Sequence, residues 1–210
     1  MVGYVMVEIR KILHFPADKL KTAGIVLSKA FHHDPIFNYL IPDTNQRLKT
    51  LNHYFQHVIK YGLRYGEVYS CPNLECISVW LPPNNSSHTK WKAIKTGVLV
   101  LPVKVKWKYL ALQNKIHKFS DNIHKKLVPY PHWYLSLIGV GPNHQGKGFG
   151  QQTLSTAINR IDLEPKPIYL ETNKEKNVEI FKRFGFRVLQ KVIVPGTKIF
   201  HWSLLRNPMI

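Results

Sequence analysis

The sequence contains little cysteine, and this shortage bears on both chemistry and compartment. Only two cysteines occur in 210 residues, Cys71 and Cys76, on either side of a segment typical of a hairpin turn. Neither has a His and an Asn beside it, which argues against a cysteine nucleophile. A disulfide across the hairpin fits the spacing, but two free thiols in a reducing cytosol are favoured. We therefore expect a cytoplasmic protein.

Long apolar runs are also missing. No run approaches the roughly 20 residues that span a bilayer, and the longest candidate, Gly97–Val103, is interrupted by Pro102. The N-terminus has no basic segment followed by an apolar core, so we expect no signal peptide. The hydrophobic fraction of 44% is ordinary for a folded domain with a core. The sequence predicts a globular protein that does not insert into a membrane.

Acidic residues are scarce as well. The chain has 12 Asp and Glu against 30 Lys and Arg, a formal net charge of +18. Such a charge attracts anions, which include nucleic acid, acidic membranes and phosphorylated cofactors. The basic residues are scattered along the chain, although they are denser between Lys90 and Lys126. Net charge alone does not choose among these partners.

Hydrophobic periodicity and helix-start residues predict the elements of the first half. Aspartates that precede apolar stripes are expected to cap helices. The predicted elements are a strand at Val5–Ile9, helices that begin near Asp18, Asp34 and Asp43, strands at Glu67–Ser70 and Ile77–Leu81, and a helix from about Val103 to Lys126.

The second half alternates strands and helices, which predicts an α/β domain of the α+β type around a mixed twisted sheet. Its first strand is nearly all apolar, as in strands buried on both faces. The preceding long helix is an extra helical segment in this plan. The predicted elements are strands at 133–140, 167–171, 186–194 and 198–205, and helices at 149–161 and 176–184.

A glycine-rich turn lies between the strand at 133–140 and the next helix. It reads Gln145-Gly146-Lys147-Gly148-Phe149-Gly150. Alternating glycines let backbone N–H groups turn inward and let a ligand approach the chain. The helix that follows offers unpaired N–H groups and the positive end of its dipole, and Lys147 adds charge. This arrangement predicts a pyrophosphate site.

Other phosphate motifs do not fit this turn, although a glycine-rich turn by itself is often only structural. The dinucleotide fingerprint needs Gly-x-Gly-x-x-Gly, and here the glycines alternate. No Gly-x-x-x-x-Gly-Lys-Ser/Thr run occurs anywhere in the chain.

The turn, taken with the residues after it, resembles the coenzyme-A-binding motif of the GNAT superfamily of N-acetyltransferases. The resemblance covers about residues 133–206. It includes Leu170-Glu171-Thr172 in the next strand and the run from Asn177 to Phe186. Within the superfamily the chain looks most like the puromycin N-acetyltransferase-like enzymes.

This resemblance implies one GNAT domain over residues 1–210. Its cofactor-binding core would be about 132–206, and the part at about 4–131 would form the acceptor side. It implies acetyl-CoA as co-substrate and no metal. The cofactor-binding residues would be Gln145, Gly146, Lys147, Gly148, Phe149 and Gly150 of the turn.

The resemblance also implies roles along the adjacent strands. The pantetheine arm would pair like a strand with Ile138, Gly139 and Val140, and the Val140 N–H would polarise the thioester carbonyl. Glu171 would act as the base that deprotonates the acceptor amine; an ordinary strand-end carboxylate is the other interpretation. Asn177 would bind the cofactor arm.

One position departs from the family pattern. The family usually has Tyr where this chain has Phe181, and that Tyr is thought to protonate the departing thiolate. Phe181 can still contact the cofactor, but it cannot supply a proton. Either the thiolate leaves without an acid, or Tyr134, His132 or water supplies the proton.

The expected acceptor is a primary amine on a small molecule, because the helices before residue 132 favour a covered pocket. Protein or peptide N-acetylation is an alternative, as is a basic module that binds RNA or acidic partners. Nucleic acid binding is disfavoured, since no base-reading motif accompanies the lysines. His53 and His57 have zinc-helix spacing without the Glu of His-Glu-x-x-His. A monomer or homodimer is expected.

Overall fold

A computed structural model describes residues 9–12, 17–85 and 107–208. These residues form six α-helices and seven strands. The helices are α1 (Ala17–Ala30), α2 (Pro35–Leu40), α3 (Thr44–Tyr65), α4 (Trp107–Leu127), α5 (Phe149–Ile161) and α6 (Glu175–Lys182). The strands are β1 (Arg10–Ile12), β2 (Glu67–Ser70), β3 (Cys76–Leu81), β4 (Trp133–Val140), β5 (Ile168–Thr172), β6 (Arg187–Ile193) and β7 (Phe200–Arg206).

All seven strands join one sheet in the order β1-β2-β3-β4-β5-β7-β6. Only the β4–β5 pair is parallel; the other five pairs are antiparallel. Helices α5 and α6 pack on one face of this mixed sheet, and α1 and α3 pack on the other. The predicted fold class, a GNAT-like mixed sheet flanked by helices, is confirmed.

Strand β4 has an irregularity where it pairs with β3. Opposite β3, Trp80 pairs with Leu135 and Val79 pairs with Leu137, so Ser136 is an extra residue in β4. Such a bulge reverses the face that each later side chain occupies. Leu135 therefore packs toward α5, and Leu137 packs toward α1 and α3.

The expectation that β4 is buried on both faces is met only in part, because every second residue is fully buried. Its residues alternate between buried and partly exposed. The partly exposed Tyr134 and Ser136 line a cavity, and Val140 lies beside the glycine-rich turn. An apolar sequence predicts burial, but it does not reveal that Tyr134 and Ser136 border a cavity.

The described part of the first half agrees with the predicted helices. The Asp34 carboxylate accepts the Ile36 N–H at 3.0 Å and caps α2. Asp43 caps α3 by accepting the Gln46 N–H at 2.6 Å. The predicted strand at Val5–Ile9 and the start of the helix from Val103 lie outside the described residues, except that Ile9 is described and is not in a strand. Among the described residues, no helix is long and apolar enough to cross a membrane.

The two cysteines face each other across the turn between β2 and β3, where the Cys71 N–H donates to the Cys76 carbonyl at 3.1 Å. Both thiols are free and buried. Burial raises the pKa of Cys76 to about 12 and also raises the pKa of Cys71. Buried thiols that stay protonated are poor nucleophiles.

Arg206, near the end of the described chain, joins three elements of the second half. Its guanidinium makes two bonds to the Asp162 carboxylate, at 2.5 and 2.7 Å, and its Nε donates to the Phe184 carbonyl at 2.9 Å. The Arg206 side chain is only 3% exposed. The pair therefore ties the end of α5 and the turn after α6 to β7.

Asp162→Asn is expected to lower the free energy of unfolding by about 3 kcal/mol, because it leaves a buried guanidinium without its anion. Urea unfolding followed by circular dichroism measures this change. Glu179→Gln is the matched control: it breaks an exposed ion pair with Lys182, which is worth less than about 1 kcal/mol. Equal effects of the two variants would contradict the structural role of Asp162.

Candidate active site

A cleft opens in the sheet where β4 and β5 separate. The two strands pair only over Trp133–Leu135 and Ile168–Leu170. Beyond Leu135, β4 stays paired with β3 as far as Val140, and β5 stays paired with β7 as far as Thr172. One backbone edge of β4, which includes Ile138, Gly139 and Val140, therefore faces no strand among the described residues. An extended ligand can pair with such an edge.

The glycine-rich turn lies at the end of that open edge. Gly146 and Gly148 have φ values of +77° and +87°, which side chains disfavour. Gly148 is the N-cap of α5 and gives it no side-chain cap, so the first N–H groups of this 13-residue helix are available to a ligand. Gln145 Nε2 donates to the Val140 carbonyl at 3.2 Å and fixes the turn to β4.

The other residues of the turn surround the N-terminus of α5. Lys147 is exposed beside the helix N-terminus. A Cβ on Gly150 would lie 3.2 Å from Val140 Cγ2, a tight contact that the Val140 side chain would have to relieve. Phe149 stands edge-on to His144, with ring centroids 5.5 Å apart. A diphosphate group fits this cradle of backbone donors and positive charge.

Asn177 and Phe181 lie on α6, which follows β5. The Asn177 amide donates to Thr172 Oγ1 at 3.1 Å, at the end of β5. Phe181 is 6% exposed and belongs to the core cluster under the sheet, with its ring 5.8 Å from that of Phe186. The Phe181 ring thus packs in the core.

A cavity of about 200 Å³ lies on the sheet face that carries α1 and α3, at the point where β4 and β5 part. Its lining combines apolar and polar side chains. The apolar residues are Ile36, Phe37, Leu40, Ile116 and Val194. The polar residues are Tyr54, Gln113, His117, Ser120, Asp121, His124, Tyr134, Ser136, Glu171, Asn173 and His201.

Among these polar residues, Glu171 is the carboxylate that belongs to the sheet. The Tyr169 hydroxyl donates to Glu171 Oε1 at 2.8 Å and also lies 3.1 Å from Ser203 Oγ. Burial, and after it the negative charge of Glu171, raises the pKa of Tyr134 well above its ordinary value. Tyr134 therefore keeps its proton at neutral pH. The sequence-predicted Glu171 and Tyr134 meet in one cavity.

Three histidine contacts at this site were missed by sequence reasoning. His201 is 3% exposed, and its Nε2 lies 3.7 Å from Glu171 Oε1 without a hydrogen bond. His124 stacks on the Tyr169 ring with centroids 4.2 Å apart, and its Nε2 is 2.6 Å from His132 Nε2. These residues come from α4, β7 and the residue before β4. No spacing in the sequence joins them, so only the fold reveals the cluster.

The expectation that the protein binds no metal stays a prediction. Within the described ranges, no group of three or more His, Cys, Asp or Glu side chains could hold a metal ion. His53 and His57 lie on α3, half-buried. The lysines of α4 at 115, 118, 125 and 126 are exposed, as a solvated face predicts.

Sequence comparisons match N-acetyltransferases. A sequence model of the acetyltransferase (GNAT) family matches residues 115–186. An uncharacterised N-acetyltransferase of Schizosaccharomyces pombe is 27% identical over 186 residues, which cover 84% of this chain and 74% of the yeast protein.

Solved structures share the fold at low identity. Histone acetyltransferase HPA2 and related acetyltransferase from Corynebacterium glutamicum superposes with a TM-score of 0.67 at 16% identity, over 98% of each chain. A protein of the mosquito Aedes aegypti that is named as an arylalkylamine N-acetyltransferase superposes with a TM-score of 0.62 at 11% identity, over 99% of this chain and 97% of the other. At such identities the likeness concerns the fold.

Proposed function

Because the chain is an acetyltransferase of the GNAT family, we propose that it transfers the acetyl group of acetyl-CoA to the primary amine of a small molecule. The observation that carries this proposal is the cleft between β4 and β5. It joins an anion-binding turn at one end of β4 to a carboxylate-bearing cavity beside Tyr134. The more specific resemblance to puromycin N-acetyltransferase-like enzymes stays a prediction.

The cofactor side would be held by backbone groups. The N–H groups of Gly148, Phe149 and Gly150 and the Lys147 ammonium would bind the diphosphate. The open edge of β4 at Ile138–Val140 would pair with the pantetheine arm, and Asn177 would bind the arm from α6. When bound, acetyl-CoA supplies a thioester carbonyl for attack by an amine. The Val140 N–H would then stabilise the negative charge on that oxygen.

The acceptor side would be the cavity. Its walls come from α2, α3 and α4 as well as from the sheet, which supports the division into an acceptor part at about 4–131 and a cofactor core at about 132–206 in a single domain. None of the described lining residues is Lys or Arg, and Glu171 and Asp121 are both carboxylates. In a protein of net charge +18, this cavity therefore favours an ammonium group. The apolar lining residues suit an amine with a hydrocarbon body.

Two side chains would move the protons. Glu171 would remove a proton from the bound ammonium, which makes the amine nucleophilic. Tyr134, a phenol held in its neutral form, would protonate the departing thiolate in place of the tyrosine that Phe181 replaces, and it would regain a proton from the attacking nitrogen as the amide forms. The observation behind this assignment is that Tyr134 and Glu171 share the cavity and interact electrostatically.

Acetyl-CoA is expected to stabilise the protein against heat, because a ligand that binds only the folded state raises the free energy of unfolding by about 2.7 kcal/mol at 100 times its dissociation constant. For a domain of this size that is a rise of roughly 5–10 °C in Tm, measured by scanning fluorimetry. A single-stranded 20-mer RNA serves as the comparison ligand. Stabilisation by RNA that falls steeply with salt, without stabilisation by acetyl-CoA, would favour the nucleic-acid-binding alternative.

A further inference from the structure

Beside the cavity lies a buried histidine pair that the proposed mechanism does not yet use. His124 on α4 and His132 before β4 are both buried, 7% and 4% exposed. Their Nε2 atoms are 2.6 Å apart, which is a hydrogen bond. His132 Nδ1 lies 2.6 Å from the backbone carbonyl of Tyr130.

These contacts fix where the protons lie. A carbonyl oxygen only accepts, so His132 Nδ1 carries a hydrogen and donates it to Tyr130. In neutral His132 the Nε2 is then bare and must accept from His124 Nε2–H. His124 in turn has a bare Nδ1. The two rings cannot both be doubly protonated, because their Nε2–H groups would point at each other. The neutral pair can therefore take up at most one extra proton.

The bare nitrogen belongs to a ring that borders the cavity. His124 lines the cavity together with Glu171. Its ring is parallel to that of Tyr169, whose hydroxyl donates to Glu171. Among the described residues His124 Nδ1 has no hydrogen-bond partner. It is thus available to a proton that comes from Glu171.

We propose that His124 and His132 form a proton-accepting pair that takes over the proton which Glu171 removes from the acceptor ammonium. This inference rests on the proposed function. Acceptor and cofactor fill the cleft during reaction, so Glu171 then has little access to bulk water. The pair can accept the proton from Glu171 at a position away from the cofactor.

The transfer balances in three steps. The ammonium gives one proton to the Glu171 carboxylate and becomes the neutral amine. The Glu171 carboxyl gives it, directly or across a cavity water, to His124 Nδ1, while the hydrogen on His124 Nε2 passes to His132 Nε2. His132 is then the imidazolium and still donates to Tyr130. When the products leave, the reverse path returns the proton to the water that enters the cavity.

The surroundings suit transient storage. Burial, above all, lowers the pKa of His124 to about 4 and also lowers the pKa of His132, so the pair is neutral at neutral pH and gives up an added proton readily. The charged and titratable groups around it are Glu171 and Tyr169 on β5, Tyr134 on β4, and Asp121 and Lys125 on α4. The Glu171 and Asp121 carboxylates favour an imidazolium there, and Lys125 opposes it.

Kinetics with three probe amines, n-butylamine, 2-phenylethylamine and 1,4-diaminobutane, test the pair. We expect His124→Gln and His132→Gln each to lower kcat about tenfold, less than the loss of the first base, with the KM for acetyl-CoA unchanged. Added imidazole should restore part of kcat in both variants, because a small base in the cavity replaces the missing acceptor. A merely structural defect is not rescued by buffer. His33→Gln, an exposed histidine outside the cavity, is the matched control and should leave kcat unchanged.

NMR of the apoprotein with ¹⁵N-labelled histidine tests the tautomers directly. This measurement needs neither an activity assay nor a variant that could misfold. At pH 7 we expect His124 protonated only on Nε2, His132 only on Nδ1, and a downfield resonance for the shared hydrogen. His124 protonated on Nδ1 would overturn the inference.

The outcomes separate this inference from the proposed function. A wild type that releases no coenzyme A with any of the three amines overturns both. The histidine pair alone is overturned if the wild type is active and His124→Gln keeps the wild-type kcat. The same holds if the wild type is active and only His201→Gln loses kcat.

Discussion

Glu171→Gln is expected to lower kcat about 10²–10⁴-fold, the range for loss of a general base. Gln keeps the shape of the side chain and can still accept the Tyr169 hydrogen bond, but it cannot take a proton from the ammonium. It also removes a negative charge from the lining of the cavity. Steady-state coenzyme A release measures the effect, and calorimetry should give an unchanged affinity for acetyl-CoA.

The control for this variant is Glu175→Gln, at the start of α6. Glu175 is 75% exposed, with its nearest ion-pair contact at 3.9 Å, and it lies outside the cavity. Its kcat should equal that of the wild type. If Glu171→Gln kept near-normal kcat and the acidic limb of the pH profile, Glu171 would be a structural strand-end carboxylate.

Gly148→Asp is expected to weaken acetyl-CoA binding at least about 10²-fold. Gly148 caps α5 without a side chain, and aspartate is a good N-cap. The new carboxylate would bond the free N–H groups itself and repel the diphosphate. Loss of two charge-assisted hydrogen bonds, about 1.5–3 kcal/mol each, accounts for this factor. Isothermal titration calorimetry measures the dissociation constant.

The backbone at this position needs its own control, because φ is +87° there and aspartate is strained in that region. Gly196 has φ +78° in the loop between β6 and β7, with open space around a Cβ. Gly196→Asp should thus carry a similar strain and leave the acetyl-CoA affinity unchanged. Equal acetyl-CoA affinity in Gly148→Asp and the wild type would contradict the assignment of the turn as the diphosphate site.

The sequence predicted the second half of the fold closely, because its signals are local. The strand at Trp133–Val140 and the helix at Phe149–Ile161 have the predicted bounds, since prolines precede the strand and glycines precede the helix. The later elements differ from prediction by two residues or fewer. Asp34 and Asp43 predicted the starts of α2 and α3, because an N-cap side chain binds backbone N–H groups within three residues.

What the sequence did not reveal depends on distant contacts. The bulge at Ser136 exists only relative to β3, and it turns Tyr134 and Leu137 onto the same face of the sheet. The histidine cluster brings together His124 on α4, His132 before β4 and His201 on β7. These residues are far apart in the sequence and follow no periodic pattern. The separation of β4 from β5, which makes the site, likewise follows from how β5 pairs with β7.

The measurement that tests the central claim most directly is coenzyme A release from acetyl-CoA in the presence of 2-phenylethylamine, n-butylamine and 1,4-diaminobutane. Each is paired with its N,N-dimethylated analogue, which keeps the cation and the hydrocarbon body but has no N–H to exchange for an acetyl group. We predict saturable release with at least one primary amine, formation of its N-acetyl product by mass spectrometry, and no release above background with the matching tertiary amine. Equal release with both members of every pair, or none with any primary amine, would contradict acetyl transfer to a small primary amine in this cleft.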